Sequence, residues 1–208
     1  MDRINGFFRR LPEGAVWAAG ALPLVWLVQA AVTGGLGVDP VKSIEHELGL
    51  WALRFLMASL AITPLRWAGL NLLRHRRPLG LLAFSYAVLH LVAWLWLDMG
   101  LRLGQAAEDL VKRPYIIAGM LGLLALLPLA LTSTRAAIRR LGRNWQRLHR
   151  LAYAALVLGV VHFTLVLKVW TGEVLIYVAL AVLLLGLRLG RSLRRRLGQR
   201  VEMARVAR

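Results

Sequence analysis

Six apolar stretches, each near the length of a membrane-crossing helix, dominate this 208-residue chain and leave little room for another architecture. Crossing the hydrocarbon as a helix takes roughly 20 mainly apolar residues. The stretches cover residues 15–33, 48–65, 79–97, 115–132, 151–170 and 174–189; Arg54 interrupts the second, and the sixth is short. Hydrophobic residues make up 59% of the chain, whereas a soluble domain carries about 45–50% even with glycine counted. A soluble fold of this length has no interior large enough to hide that surface. The expectation is an all-α, polytopic membrane bundle of six transmembrane helices. Residues 1–14 form a short charged N-terminus, 15–189 the helical domain and 190–208 a basic tail. The first apolar run has no clear A-x-A cleavage site, so it reads as a retained helix rather than a removed signal peptide.

Charge sets the expected orientation. Cytoplasmic segments of membrane proteins are enriched in Lys and Arg. With the N-terminus in the cytoplasm, 21 of the 27 basic residues fall on the cytoplasmic side. They are Arg3, Arg9 and Arg10; Arg66, Arg74, Arg76 and Arg77; six arginines from Arg135 to Arg150; and eight from Arg188 to Arg208. The other side holds Lys42, Arg102, Lys112, Arg113 and Lys168, together with the acids Asp39, Glu45, Glu47, Asp98, Glu108, Asp109 and Glu173. Six helices with both termini cytoplasmic satisfy this split, and five would scramble it. The cell inner membrane is the expected location.

A formal charge of +17 also raises nucleic acid, since basic patches bind it. Here the basic residues sit in clusters between apolar runs, with no zinc spacing, RNP-like motif or basic-helix pattern, so nucleic acid is set aside. The chain has no cysteine, which excludes disulfides, cysteine-ligated iron–sulfur clusters and covalent C-x-x-C-H haem attachment. No G-x-G-x-x-G or P-loop is present, and the loops are too short for a nucleotide-binding domain.

Ionisable groups at membrane depth are costly and usually functional. Three qualify: Arg54, His90 and His162. Helix arithmetic puts all three roughly 10–12 Å below the outer surface, which suggests one shared site. Two neutral imidazoles facing each other are good axial ligands for a b-type haem iron. The third and fifth helices run in the same direction, so His90 and His162 can meet at one level. Small residues accompany each histidine on its own face: Ala83, Ala87 and Ala93 on one helix, Ala155 and Gly159 on the other. Arg54 can neutralise a haem propionate. The alternative is a pair of isolated histidines bonded to serine or backbone groups between helices.

His149 lies thirteen residues before His162, about 20 Å along a helix, which suits a second haem stacked towards the cytoplasm. The two rings do not share a helix face, however, and the matching level of the third helix carries Arg76 and Arg77, with His75 in the adjoining loop. An interfacial residue beside Trp145 and Tyr153 is an equal reading. Arg76, Arg77 and residues 144–150 form a basic rim that can take a phosphate, such as that of FMN, through arginine forks and helix N-terminal amides; a plain positive-inside loop fits as well. His46, between Glu45 and Glu47, lies at the outer surface, where it is solvated or touches a partner or quinone. Trp51, Trp67, Trp94, Trp145 and Trp170 lie near helix ends, as an interface belt does. No residue reads as a catalytic acid, base or nucleophile.

Several stretches carry a resemblance. They are Asp39-Pro-Val-Lys-Ser-Ile-Glu-His-Glu-Leu-Gly-Leu-Trp-Ala-Leu-Arg54, Ile62-Thr-Pro-Leu-Arg66, Arg77-Pro-Leu-Gly-Leu-Leu-Ala-Phe-Ser-Tyr-Ala-Val-Leu-His90, Lys112-Arg-Pro-Tyr-Ile-Ile-Ala-Gly-Met120, and Trp145-Gln-Arg-Leu-His-Arg-Leu-Ala-Tyr153 leading to His162-Phe163. Through them the chain resembles the MsrQ (YedZ) family, haem-binding membrane subunits of periplasmic methionine sulfoxide reductase systems within the ferric-reductase-like transmembrane group. The resemblance implies a membrane electron-transfer subunit. Electrons would pass from the quinone pool or a cytoplasmic flavin reductase, through haem b and FMN, to a periplasmic molybdenum enzyme that repairs oxidised methionine. By position, His90 and His162 would be the haem ligands and His149 a further candidate. Rival readings are a cytochrome b subunit for another dehydrogenase or metal reductase, and a membrane transporter or structural protein without haem.

Overall fold

The computed structural model describes residue 6 and residues 11–167 and 169–206. Arg3, Arg9, Arg10, Lys168 and Arg208 lie outside the described residues, as do the side chains of Arg196, Arg200 and Arg205. Helix α1 (Glu13–Val32) is followed by α2 (Pro40–Trp67) and a 3-10 turn (Leu73–His75) that opens α3 (Arg76–Ala93). Helix α3 closes in a π turn (Trp94–Asp98). Then come α4 (Leu103–Lys112), α5 (Pro114–Leu131), α6 (Arg135–Leu141), α7 (Arg143–Leu148), α8 (Leu151–Leu167) and α9 (Gly172–Val206). Among the described residues there is no strand. Six helical segments are long and apolar enough to cross a membrane: α1, α2, α3 with its flanking turns, α5, α7 with α8, and α9.

Three boundaries differ from the hydropathy reading. Helix α2 starts at Pro40, eight residues before the apolar run. Asp39 caps it by accepting from the Lys42 amide at 3.0 Å, and proline occupies the first turn, where its missing N–H costs nothing. Glu45, His46 and Glu47 are therefore helical. Helix α9 continues through the basic tail as one helix of 35 residues, because arginine and leucine are good helix formers. The loop after the third span contains the amphipathic α4, which exposes Leu103 and Val111 and buries Ala106 and Asp109. Arg113 Nε lies 3.0 Å from Asp109 Oδ1.

Helix α2 is the centre of the bundle and buries nine residues, from Leu48 to Ile62. It packs lengthwise against α3, while α5 packs lengthwise against α8, and α9 leans on α2 and α8. Ala83 and Ala155 are completely or almost completely covered, so these small residues let helices approach each other. Arg188 pins α9 from the inside: its guanidinium donates to the Tyr153 hydroxyl and the Leu60 carbonyl.

Helix α1 is docked by one hydroxyl. Pro23 interrupts α1, and a proline inside a helix clashes with the preceding turn and opens it. Tyr86 of α3 fills the opening. Its hydroxyl donates to the Gly20 carbonyl at 2.6 Å and accepts from the Leu24 amide at 3.1 Å. It thus stands in for the helical bond between those two groups. A Cβ on Gly20 would lie 2.4 Å from Leu82 Cδ1, so a side chain there would have to displace Leu82. Tyr86→Phe strands both backbone groups and lowers stability in detergent by about 1–3 kcal/mol, read as an earlier thermal unfolding of the purified protein.

Candidate functional site

His90 and His162 lie close together. Their ring centres are 5.9 Å apart and their planes cross at 79°. The two rings come from α3 and α8, which the lengthwise pairings with α2 and α5 hold in place.

Each ring is gripped from the neighbouring helix by the same device. His90 Nδ1 lies 2.8 Å from the Glu45 carbonyl of α2, and His162 Nδ1 lies 2.7 Å from the Tyr115 carbonyl of α5. A carbonyl only accepts, so both Nδ1 atoms carry the proton and both Nε2 atoms keep the bare lone pair. One turn after each carbonyl stands a glycine against which the ring packs. A Cβ on Gly49 would lie 3.2 Å from His90 Nδ1, and one on Gly119 would lie 2.9 Å from His162 Nδ1. A histidine held this way through Nδ1 is the usual partner of a metal at Nε2, because the second bond sets tautomer and ring direction.

The donor set can be tested against iron. Two metal–imidazole bonds of about 2 Å each, plus the distance from each nitrogen to its ring centre, span ~6 Å, and the observed separation agrees. Among the described residues no group of three His, Asp or Glu could hold a metal ion alone. Two imidazoles leave the remaining coordination positions to the bound group, as a porphyrin supplies them. The residues present fit a bis-histidine haem.

Arg54 belongs to a separate network. Its Nε donates to the Tyr177 hydroxyl at 2.7 Å, and its terminal nitrogens sit 3.8 Å from Glu47 and 3.9 Å from Glu173. The guanidinium also covers the Trp51 ring at 4.7 Å. His46 joins this network, with Nε2 4.0 Å from Glu173 Oε2. An aromatic chain links it to the histidine pair: the Phe163 ring, next in sequence to His162, lies 6.1 Å from the His46 ring and 5.4 Å from the Tyr177 ring.

At the arginine-rich end, His149 closes the short α7. Its ring stacks on Trp145 at 3.8 Å, and Nδ1 lies 3.1 Å from the Trp145 carbonyl. Arg76 is half-buried within electrostatic reach of it, and Arg77 is exposed. The sequence reading paired the two histidines and named small neighbours on their own helices. Two further small residues, Gly49 and Gly119, lie against the rings from the neighbouring helices α2 and α5. A signal for them was present in the carbonyl-to-glycine spacing of four residues at Glu45–Gly49 and Tyr115–Gly119.

Known proteins resemble this chain over most of its length. Residues 48–160 match the family described as ferric reductase like transmembrane component. The chain is 50% identical over 187 residues to the protein-methionine-sulfoxide reductase heme-binding subunit MsrQ of Agrobacterium fabrum, covering 88% of this chain and 87% of the relative. It is 50% identical over 177 residues to the proteins of the same name from Brucella ovis and Brucella suis, covering 85% of this chain and 80% of each. No solved structure matches it.

Proposed function

The chain belongs to the MsrQ family of ferric-reductase-like transmembrane proteins, and from that membership we propose that it is the haem-bearing electron-transfer subunit of a methionine sulfoxide reductase system. The observation that carries the reading is the facing pair His90 and His162, each with its Nδ1–H committed to a backbone carbonyl. These two residues would hold haem b. Held by these two side chains, a haem would supply one-electron chemistry, which suits electron carriage. The chain's own part is to fix both rings, to keep both Nε2 atoms unprotonated and to surround the pair with apolar helices.

Electrons enter from the quinone pool or a cytoplasmic flavin reductase and leave to a periplasmic molybdenum-containing reductase that repairs oxidised proteins. The protein lies in the bacterial inner membrane with both termini cytoplasmic. The acids near the histidine pair then face the periplasmic partner, and the arginine-rich end faces the cytoplasm. Arg54 is the cation for a haem propionate. Its two ion pairs, at 3.8 and 3.9 Å, are loose enough for another carboxylate to replace one. Arg76 and Arg77 offer the phosphate contacts for FMN, and His149 is the candidate ligand for a second haem.

Overexpression of the chain gives membranes with a b-type spectrum in the dithionite-reduced minus oxidised difference. Membranes that contain the folded chain but lack that signal, with haem supplied in excess, would rule the reading out.

A further inference from the structure

The arginines of α9 do not point one way. Arg188 turns into the bundle, whereas Arg191, Arg194 and Arg195, further along the helix, line an open cleft with Leu183, Gly186 and Gly190. Positions three, four, seven and eight apart on a helix form one stripe, and this one runs from apolar through open to cationic. Trp67, the last residue of α2, supplies the facing wall, and the Arg191 guanidinium stacks over its ring at 4.4 Å. Between them lies a cleft of about 860 Å³. Both glycines open onto empty space, with no atom within 4 Å of a Cβ built on either. Among the described residues no acid lines the cleft, so three neighbouring like charges have no counter-charge there, an arrangement that costs stability.

We propose that this cleft is a binding site for an anionic phospholipid. Its phosphate is held by Arg191, Arg194 and Arg195, and one acyl chain lies in the groove over Gly186 and Gly190. The chemistry matches at both ends. Arginine forks recognise phosphate, basic pockets between transmembrane helices take acidic head groups, and a tryptophan at a helix end sits at head-group level. The groove below is walled by Val182, Leu183 and Leu187, which suits a hydrocarbon chain. A free phosphate would use the arginines and leave the groove empty.

The test counts lipids on the purified full-length protein in neutral detergent by native mass spectrometry. Phosphatidylglycerol is titrated against phosphatidylcholine with the same chains, with inorganic phosphate as competitor. One phosphatidylglycerol is retained per chain, phosphatidylcholine is not, and millimolar phosphate does not displace it. The R191Q/R194Q/R195Q variant weakens retention on the order of a hundredfold, from about 1 kcal/mol per arginine. G186L/G190L has room for its side chains yet also loses the lipid, because they fill the groove. The control R139Q/R140Q/R143Q, with α6 and α7 arginines away from the cleft, keeps it. Equal retention of the two lipids, undiminished retention in either cleft variant, equal loss in the control, or displacement by phosphate overturns the proposal.

Discussion

Membranes carrying His90→Ala or His162→Ala lose the reduced-minus-oxidised haem signal while the chain itself remains in the membrane. The fold survives because neither ring is needed to satisfy the backbone. The Glu45 and Tyr115 carbonyls each sit inside a helix and keep the amide four residues on as partner. What disappears is one of the two nitrogens proposed to hold iron. His162→Gly leaves a ring-shaped space beside Gly119, so added imidazole restores part of the signal. Full haem content in either alanine variant would show that the iron is held elsewhere. Retention of half the signal would assign the retained half to a second haem, with His149 as its ligand.

Gly119→Ala is the sharper experiment, because it removes no ligand. The new methyl carbon would lie 2.9 Å from His162 Nδ1 and 3.1 Å from Cε1, inside contact distance, and the ring is anchored to Tyr115 at 2.7 Å. It must turn away, which breaks that bond and misdirects Nε2. Loss of such a supporting contact lowers metal affinity by about 10–100-fold, read as haem lost on dilution or during purification. Alanine also favours the helix by about 1 kcal/mol over glycine, so thermal stability of the haem-free chain holds or rises. Gly49→Ala acts in the same direction but less, since its closest ring contact is 3.2 Å. Gly122→Ala, one turn further along α5, meets Leu158 at an ordinary 3.6 Å and leaves haem content unchanged. A haem affinity in Gly119→Ala equal to that in Gly122→Ala would remove the glycine from the site.

The sequence carried the membrane class and the histidine pair for one reason: both are written in spacing along a single helix. Six apolar runs predicted six crossings, and depth counting brought His90 and His162 together. What hydropathy could not show was set by local chemistry that overrides it. The start of α2 depends on the Asp39 cap and Pro40, although the residues from Lys42 to Glu47 look like a loop. The partners of each ring depend on which helix lies alongside, and no period within α3 or α8 encodes that. Arg54 illustrates the same limit. Its depth was readable, but its bond to Tyr177, 123 residues later, required the packing of α9. Tyr86, which mends the proline break in α1, had no sequence signature beyond being a tyrosine in an apolar run.

The paired grip on the two imidazoles has a mechanical consequence. Each ring is wedged against a backbone that lacks a side chain to yield, and is tied by a short bond to a carbonyl that is itself part of a helix. Swinging either ring away would break its bond to the carbonyl. Arrival or departure of an electron would therefore find the ligands already where both redox states need them. Little energy would go into moving atoms, and the work of exchange would fall on polarisation of the surroundings. Stiffness of this kind favours fast transfer in either direction, and it comes from the absence of a methyl group at two positions in α2 and α5.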